Sequence, residues 1–189
     1  MPTTNLDTLR AQPLALIAPA TQALASGGSI GAWRKVMEIA IRRSQTAAYI
    51  AATAERLGVK PGLVKGLSRA ERRELDARIA TQLTYLDGFV ADLRAGKLTP
   101  AQAQARAALY SGATRQGYYA ARWGDWEIPE ELLPGMQQCV TNCKCRIWVV
   151  DDGGGKGTLH RAMGGDEHHC TECPPLEGEY PVRRKAMTA

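Results

Sequence analysis

The sequence predicts a mainly α-helical protein: long Ala- and Arg-rich helices, arranged as an extended bundle or hairpin, followed by a small cysteine-rich β-hairpin module. Three observations predict this. Apolar residues at helical spacing run through the first two thirds of the 189-residue chain. Composition breaks near residue 125: residues 1–125 hold 17 Lys and Arg against 9 Asp and Glu, whereas residues 126–189 hold 7 against 10. All five cysteines and all three histidines fall after that break. Residues 1–125 therefore read as a helical docking and assembly region, and residues 126–189 as a small separate module.

Ser29 is a candidate N-cap for a helix running to Leu57, with Gly58 as its stop. Ser68 and Glu71 form a capping box ahead of a second helix. Leu75, Ile79, Leu83, Leu86, Val90 and Leu93 then fall on one continuous stripe, and Gly96 ends it. Thr99-Pro100, an N-cap with Pro at the first helical position, opens a third helix to about Arg122. Tyr110, Tyr118 and Tyr119 on that helix are expected to pack against the C-terminal module. The longest uncharged apolar stretch, Pro13 to Ala25, is shorter than the roughly 20 residues a membrane span needs. Met1 to Leu9 carries one acid and no base, which does not resemble a secretion signal. A soluble protein made in a cytoplasm, without membrane contact, is expected.

Glu71, Glu74 and Asp76 sit among Arg69, Arg72, Arg73 and Arg78, the pattern of a solvated face with ion pairs one turn apart. The Arg34-Lys35 and Arg42-Arg43 pairs, about two turns apart, form a basic ridge that phosphate could meet. No aromatic residues interleave with it, so base stacking is not indicated. No nucleophile, base and orienting group stand at a telling spacing, and a non-enzymatic role is expected.

The specific signal lies in the second part. Cys139-Val-Thr-Asn-Cys143-Lys-Cys145 runs into Arg146-Ile-Trp-Val-Val150, which reads as a strand. Asp151 to Gly157 is a Gly-rich turn, and Thr158 to Met163 returns as a second strand. His168-His169-Cys170-Thr-Glu-Cys173 follows. Two compact thiol clusters flanking a hairpin can complete a tetrahedron at about 2.3 Å per Zn–S bond. Structural zinc on four of Cys139, Cys143, Cys145, Cys170 and Cys173, with His168 or His169 as a substitute, is the leading reading. Disulfides and redox use of Cys170 and Cys173 are the alternatives. Cys170 and Cys173 are the firmest pair, and either Cys143 or Cys145 could join Cys139. About 60 residues with few large apolar groups call for such a staple. The fold class is thus mainly α with a small zinc-stabilised β-hairpin module. Gly153-Gly-Gly-Lys156-Gly-Thr158 lacks phosphate-loop spacing and reads as a hairpin tip.

Thr141-Asn-Cys-Lys-Cys145 before a strand resembles the His-Pro-Asn-Cys-Arg-Cys signature of tailed-phage minor head, or head-morphogenesis, proteins similar to the F protein of phage Mu. Cys170-Thr-Glu-Cys-Pro-Pro-Leu-Glu-Gly178 is similar to that family's Cys-x-x-Cys-x-x-Leu-x-Gly element. The two elements occur here in reverse order, and Cys139 stands in place of the His-Pro. The resemblance spans residues 131–182 at motif level and only general character before that. It implies a non-enzymatic structural component of the virion head, made in the bacterial cytoplasm and contacting capsid or portal proteins in many copies. Assembly or genome packaging and delivery would be its role, with non-specific contact to packaged DNA. The alternative from another class is a zinc-containing, nucleic-acid-binding regulator whose basic helices contact phosphate. Against it, the cysteine module is itself acidic and has no recognition helix between its clusters.

Overall fold

The computed structural model describes residues 5–134, 145–163 and 174–186. It is mainly helical with a small three-stranded antiparallel sheet. The helices are α1 (Leu6–Ala25), α2 (Ile30–Leu57), α3 (Arg69–Arg94), α4 (Pro100–Leu109) and α5 (Gly112–Arg122). The strands are β1 (Arg146–Gly153), β2 (Lys156–Ala162) and β3 (Gly178–Arg183), ordered β1-β2-β3.

The caps read from sequence are formed. Ser29 Oγ accepts from the Ala32 N–H at the start of α2, and Gly58 closes it at φ +69°. Both halves of the Ser68–Glu71 capping box are present, and Thr99 with Gln102 makes another. Of the α3 stripe, Leu75, Ile79, Leu86 and Val90 are buried, while Leu83 and Leu93 pack partly buried against the core.

Three features depart from the sequence reading. The segment before residue 29 is a full helix, α1, despite Pro13 and Pro19 within it. Burial offsets the local cost: Pro13, Ile17 and Thr21 are buried, and the Thr21 hydroxyl accepts from Trp33 Nε1 at 3.0 Å. The third helix is two. It breaks at Tyr110-Ser111, where the backbone tightens to i−3 bonds and Ser111 Oγ donates to the Ala108 carbonyl at 2.8 Å. The hairpin is joined by a third strand, β3, after Leu176.

Two core clusters result. One joins Ile17, Trp33, Met37, Leu86, Phe89 and Tyr110, with Trp33 meeting Phe89 edge-on at 4.9 Å between ring centroids. The other joins Tyr49, Leu75, Ile79, Tyr118 and Tyr119 to Trp126, Leu132, Leu133, Ile147, Leu159 and Val182. This second cluster spans the composition break at residue 125. Tyr118 and Tyr119 thus pack against the sheet as expected, whereas Tyr110 turns to Phe89, stacked at 6.4 Å.

Strand alternation places Ile147, Leu159 and Val182 toward the helices. Gly154 and Gly155 make the β1–β2 turn at φ +60° and +75°, a conformation side chains resist. At Gly157 a Cβ would stand 2.6 Å from the Trp126 ring and 2.8 Å from the Val150 carbonyl. Gly157→Ala is therefore expected to cost about 1–3 kcal/mol in chemical denaturation. Gly88→Ala, on the open face of α3, should gain about 0.5–1 kcal/mol in the same assay.

Glu71 is more than a cap. It accepts from the Ser68 N–H at 2.7 Å and from Thr53 Oγ1 at 3.2 Å, and it pairs with Arg56. Burial pushes its carboxyl up, but the Ser68 hydrogen bonds and the Arg56 charge outweigh this and hold it below the usual carboxylate range. A depressed folded-state value stabilises above the unfolded pKa, and that stability is lost as pH falls through the folded one. Glu71→Gln should lower stability by about 1 kcal/mol at neutral pH and flatten the acid limb of a stability–pH profile.

Candidate functional site

Of the seven residues read as metal ligands, Cys145 alone is among those described. It is 1% exposed, two residues before Ile147 on the chain entering β1. Cys139, Cys143, His168, His169, Cys170 and Cys173 lie outside the described residues. Among the described residues no three His, Cys, Asp or Glu side chains gather as a metal cluster.

What the structure fixes is where the cysteine-bearing segments attach. Arg146 pairs with Ala162, and Arg161 pairs with Gly178, so β1 starts, β2 ends and β3 starts at one end of the sheet. Arg161 Nη1 donates to the Glu131 carbonyl at 3.1 Å, which brings the chain before Pro134 to the same end. The Met163 N–H donates to Glu177 Oε1 at 3.2 Å, bringing in the chain after Pro174. Pro134, Cys145, Met163 and Pro174, the described residues that flank 135–144 and 164–173, therefore lie toward one end of the sheet. Tetrahedral zinc takes four Cys or His donors, and segments that start and finish at neighbouring chain ends are one way to supply them.

Arg161 is central to the arrangement. Its side chain is 2% exposed within the strand that joins the other two. Alternation of β2 alone does not single it out, because an arginine at an inward position breaks the apolar pattern. Arg161→Met should cost about 2 kcal/mol, the loss of a charge-assisted bond to a carbonyl, read as a lowered urea midpoint.

The helical region offers clefts and charges of other kinds. A cleft of about 430 Å³ beside α3 and α5 is lined by Arg78, Arg106, Tyr85, Gln82 and Glu130 among others. Its arginines already serve the fold: Arg78 meets Glu74 at 3.4 Å and donates to the Tyr49 hydroxyl, and Arg106 meets Asp92 at 2.6 Å. The basic ridge is half spent in the same way. Arg34 pairs with Asp87 and Glu38, and Arg42 pairs with Glu38. Lys35 and Arg43 are exposed, with no ion pair among the described residues. Tyr118 donates to Glu55 Oε2 at 2.6 Å. Burial first, then that bond, raises its pKa, so it serves as a neutral strut rather than an acid.

No described helix is long and apolar enough to cross a membrane. Comparison with protein-family models, with curated proteins and with solved structures finds no match to this chain.

Proposed function

We propose that the chain is a non-enzymatic structural protein of a phage virion, associated with the head or portal as minor head proteins are. In this reading the helices dock on capsid or portal neighbours, and a zinc-clamped end of the sheet fixes a second contact surface. The observation that carries it is the meeting of four chain ends at one end of the sheet, at Pro134, Cys145, Met163 and Pro174; the stretches of sequence between those ends carry Cys139, Cys143, Cys170 and Cys173. The motif likeness to minor head proteins supports the same reading. Four of those cysteines would hold the ion, with His168 or His169 as a substitute for one. Zinc there supplies cross-linking rather than chemistry: it holds deprotonated thiols from two segments and lends binding energy to folding. The exposed Lys35 and Arg43 supply charge for non-specific contact with packaged DNA.

Two measurements test this. Protein purified without chelator should contain one zinc per chain, lose it in Cys170→Ser/Cys173→Ser, and melt lower after chelation. Metal-free protein with two disulfides and one free thiol overturns the clamp. Co-expression with head and portal proteins of the same virion should give a stoichiometric complex. A chain that binds none of them, but binds duplex DNA with a steep salt dependence, would be a nucleic-acid-binding regulator instead.

A further inference from the structure

The two edges of the sheet are treated differently. The β3 edge is blunted by Pro181, by the bridge from Trp126 to Arg184, and by the Glu127 N–H donating to the Arg183 carbonyl at 2.8 Å. The β1 edge carries none of these devices from Arg146 to Asp151, and its register shifts only at its far end, between Asp151 and Gly153. Among the described residues no strand pairs with its outer side; Arg146, Ile147 and Trp148 form one wall of a cleft of about 460 Å³ whose other wall is the start of α1 and the end of α5. A bare edge bearing apolar side chains is a template for another strand.

The side chains of β1 say which strand. Arg146, Trp148 and Val150 point away from the helices, and all three are exposed, Trp148 at 43% and Val150 at 45%. Asp152 stands on the same face, because the Thr158 hydroxyl donates to its Oδ2 at 2.9 Å, and Thr158 is opposite Val150. Read along the strand, this face is Arg, Trp, Val, Asp. Such a sequence is complementary to itself when reversed.

We propose that β1 pairs antiparallel with β1 of a second copy of this chain, with Val149 on the two-fold axis. Two-fold symmetry makes every contact reciprocal, and keeping the helices of both copies on one side requires paired residues of like parity. Centring on Val149 meets both conditions. Arg146 then lies opposite Asp152 of the second copy, and Trp148 lies opposite Val150. Each pairing occurs twice, giving two ion pairs at the rim and two aromatic–aliphatic pairs at the centre of a continuous six-stranded sheet. Cross-strand pairs of these kinds are the ones that stabilise antiparallel sheets. Arg146 makes no ion pair within its own chain among the described residues, so it is available for this contact.

Sedimentation of the purified chain over a concentration series reads the proposal, with no head or portal protein present. Its outcome is thus separate from that of the virion reading. A monomer–dimer equilibrium is expected. Arg146→Asp alone and Asp152→Arg alone should each weaken the dimer by roughly tenfold, since each replaces two attractions by two repulsions. The double variant Arg146→Asp/Asp152→Arg restores opposite charges across the axis and should recover the dimer, which a merely misfolded variant would not do. A monomer at every concentration overturns the proposal. So does a dimer indifferent to both single reversals, or a double variant that folds yet dimerises no better than the singles.

Discussion

Much of this structure depends on how closely helix α5 can lie against helix α2. From Ala47 to Ala54, α2 carries mainly alanine on the faces it buries, so it brings backbone rather than bulk to its neighbours. The approach leaves no room for a side chain at Gly117, where a Cβ would collide with the Gln45 side chain. The Gln45 amide donates to the Ala113 carbonyl at 2.8 Å from within this contact. Interiors packed to crystal-like density punish any added methylene at such a place. With α5 held there, Tyr118 donates to Glu55 of α2, Tyr118 and Tyr119 join the cluster that includes Ile147 and Leu159, and Trp123 leads into the turn that seats Trp126.

Trp126 then joins the two kinds of secondary structure. Its ring packs over Gly157 in the middle strand, Arg184 covers it at 5.0 Å, and its backbone bridges to Arg184 beyond β3. Arg184 in turn meets Asp151 at 2.6 Å. The Asp151 carboxyl is held below its usual range by the Gly153 N–H first and by that guanidinium second. One indole thus touches the middle strand directly, and the other two through Arg184, while its buried face belongs to the helical core.

The elements that local chemistry punctuates were legible in the sequence. Ser29, Gly58, Ser68 with Glu71, and Thr99 with Pro100 each solve a helix-end problem within a few residues, and each does so in the structure. The stripe on α3 was legible for the same reason. Features settled by distant partners were not. Helix α1 depends on Trp33 to bury what its prolines would otherwise spoil, and the break at Ser111 depends on where α4 and α5 must lie. Strand β3 has Pro181 at its centre, which marks an edge only once its neighbour is known. The thiol clusters were legible as residue types and spacing. That their flanking chain meets at one end of the sheet was not, since it follows from Arg161, whose reach to Glu131 crosses 30 residues.

That meeting of chain ends has an evolutionary side. When both ends of a segment are anchored by strand pairing, the segment can lengthen, shorten or change composition without moving the register of the strands, and the entropy of closing it grows only logarithmically with length. Residues 145–163 and 174–186 therefore form a frame whose strand register does not depend on the length of the chain between Met163 and Pro174. Length can change there while the hydrophobic seam of Ile147, Leu159 and Val182 stays fixed. The helical body and the sheet would be inherited together, and that stretch would diverge.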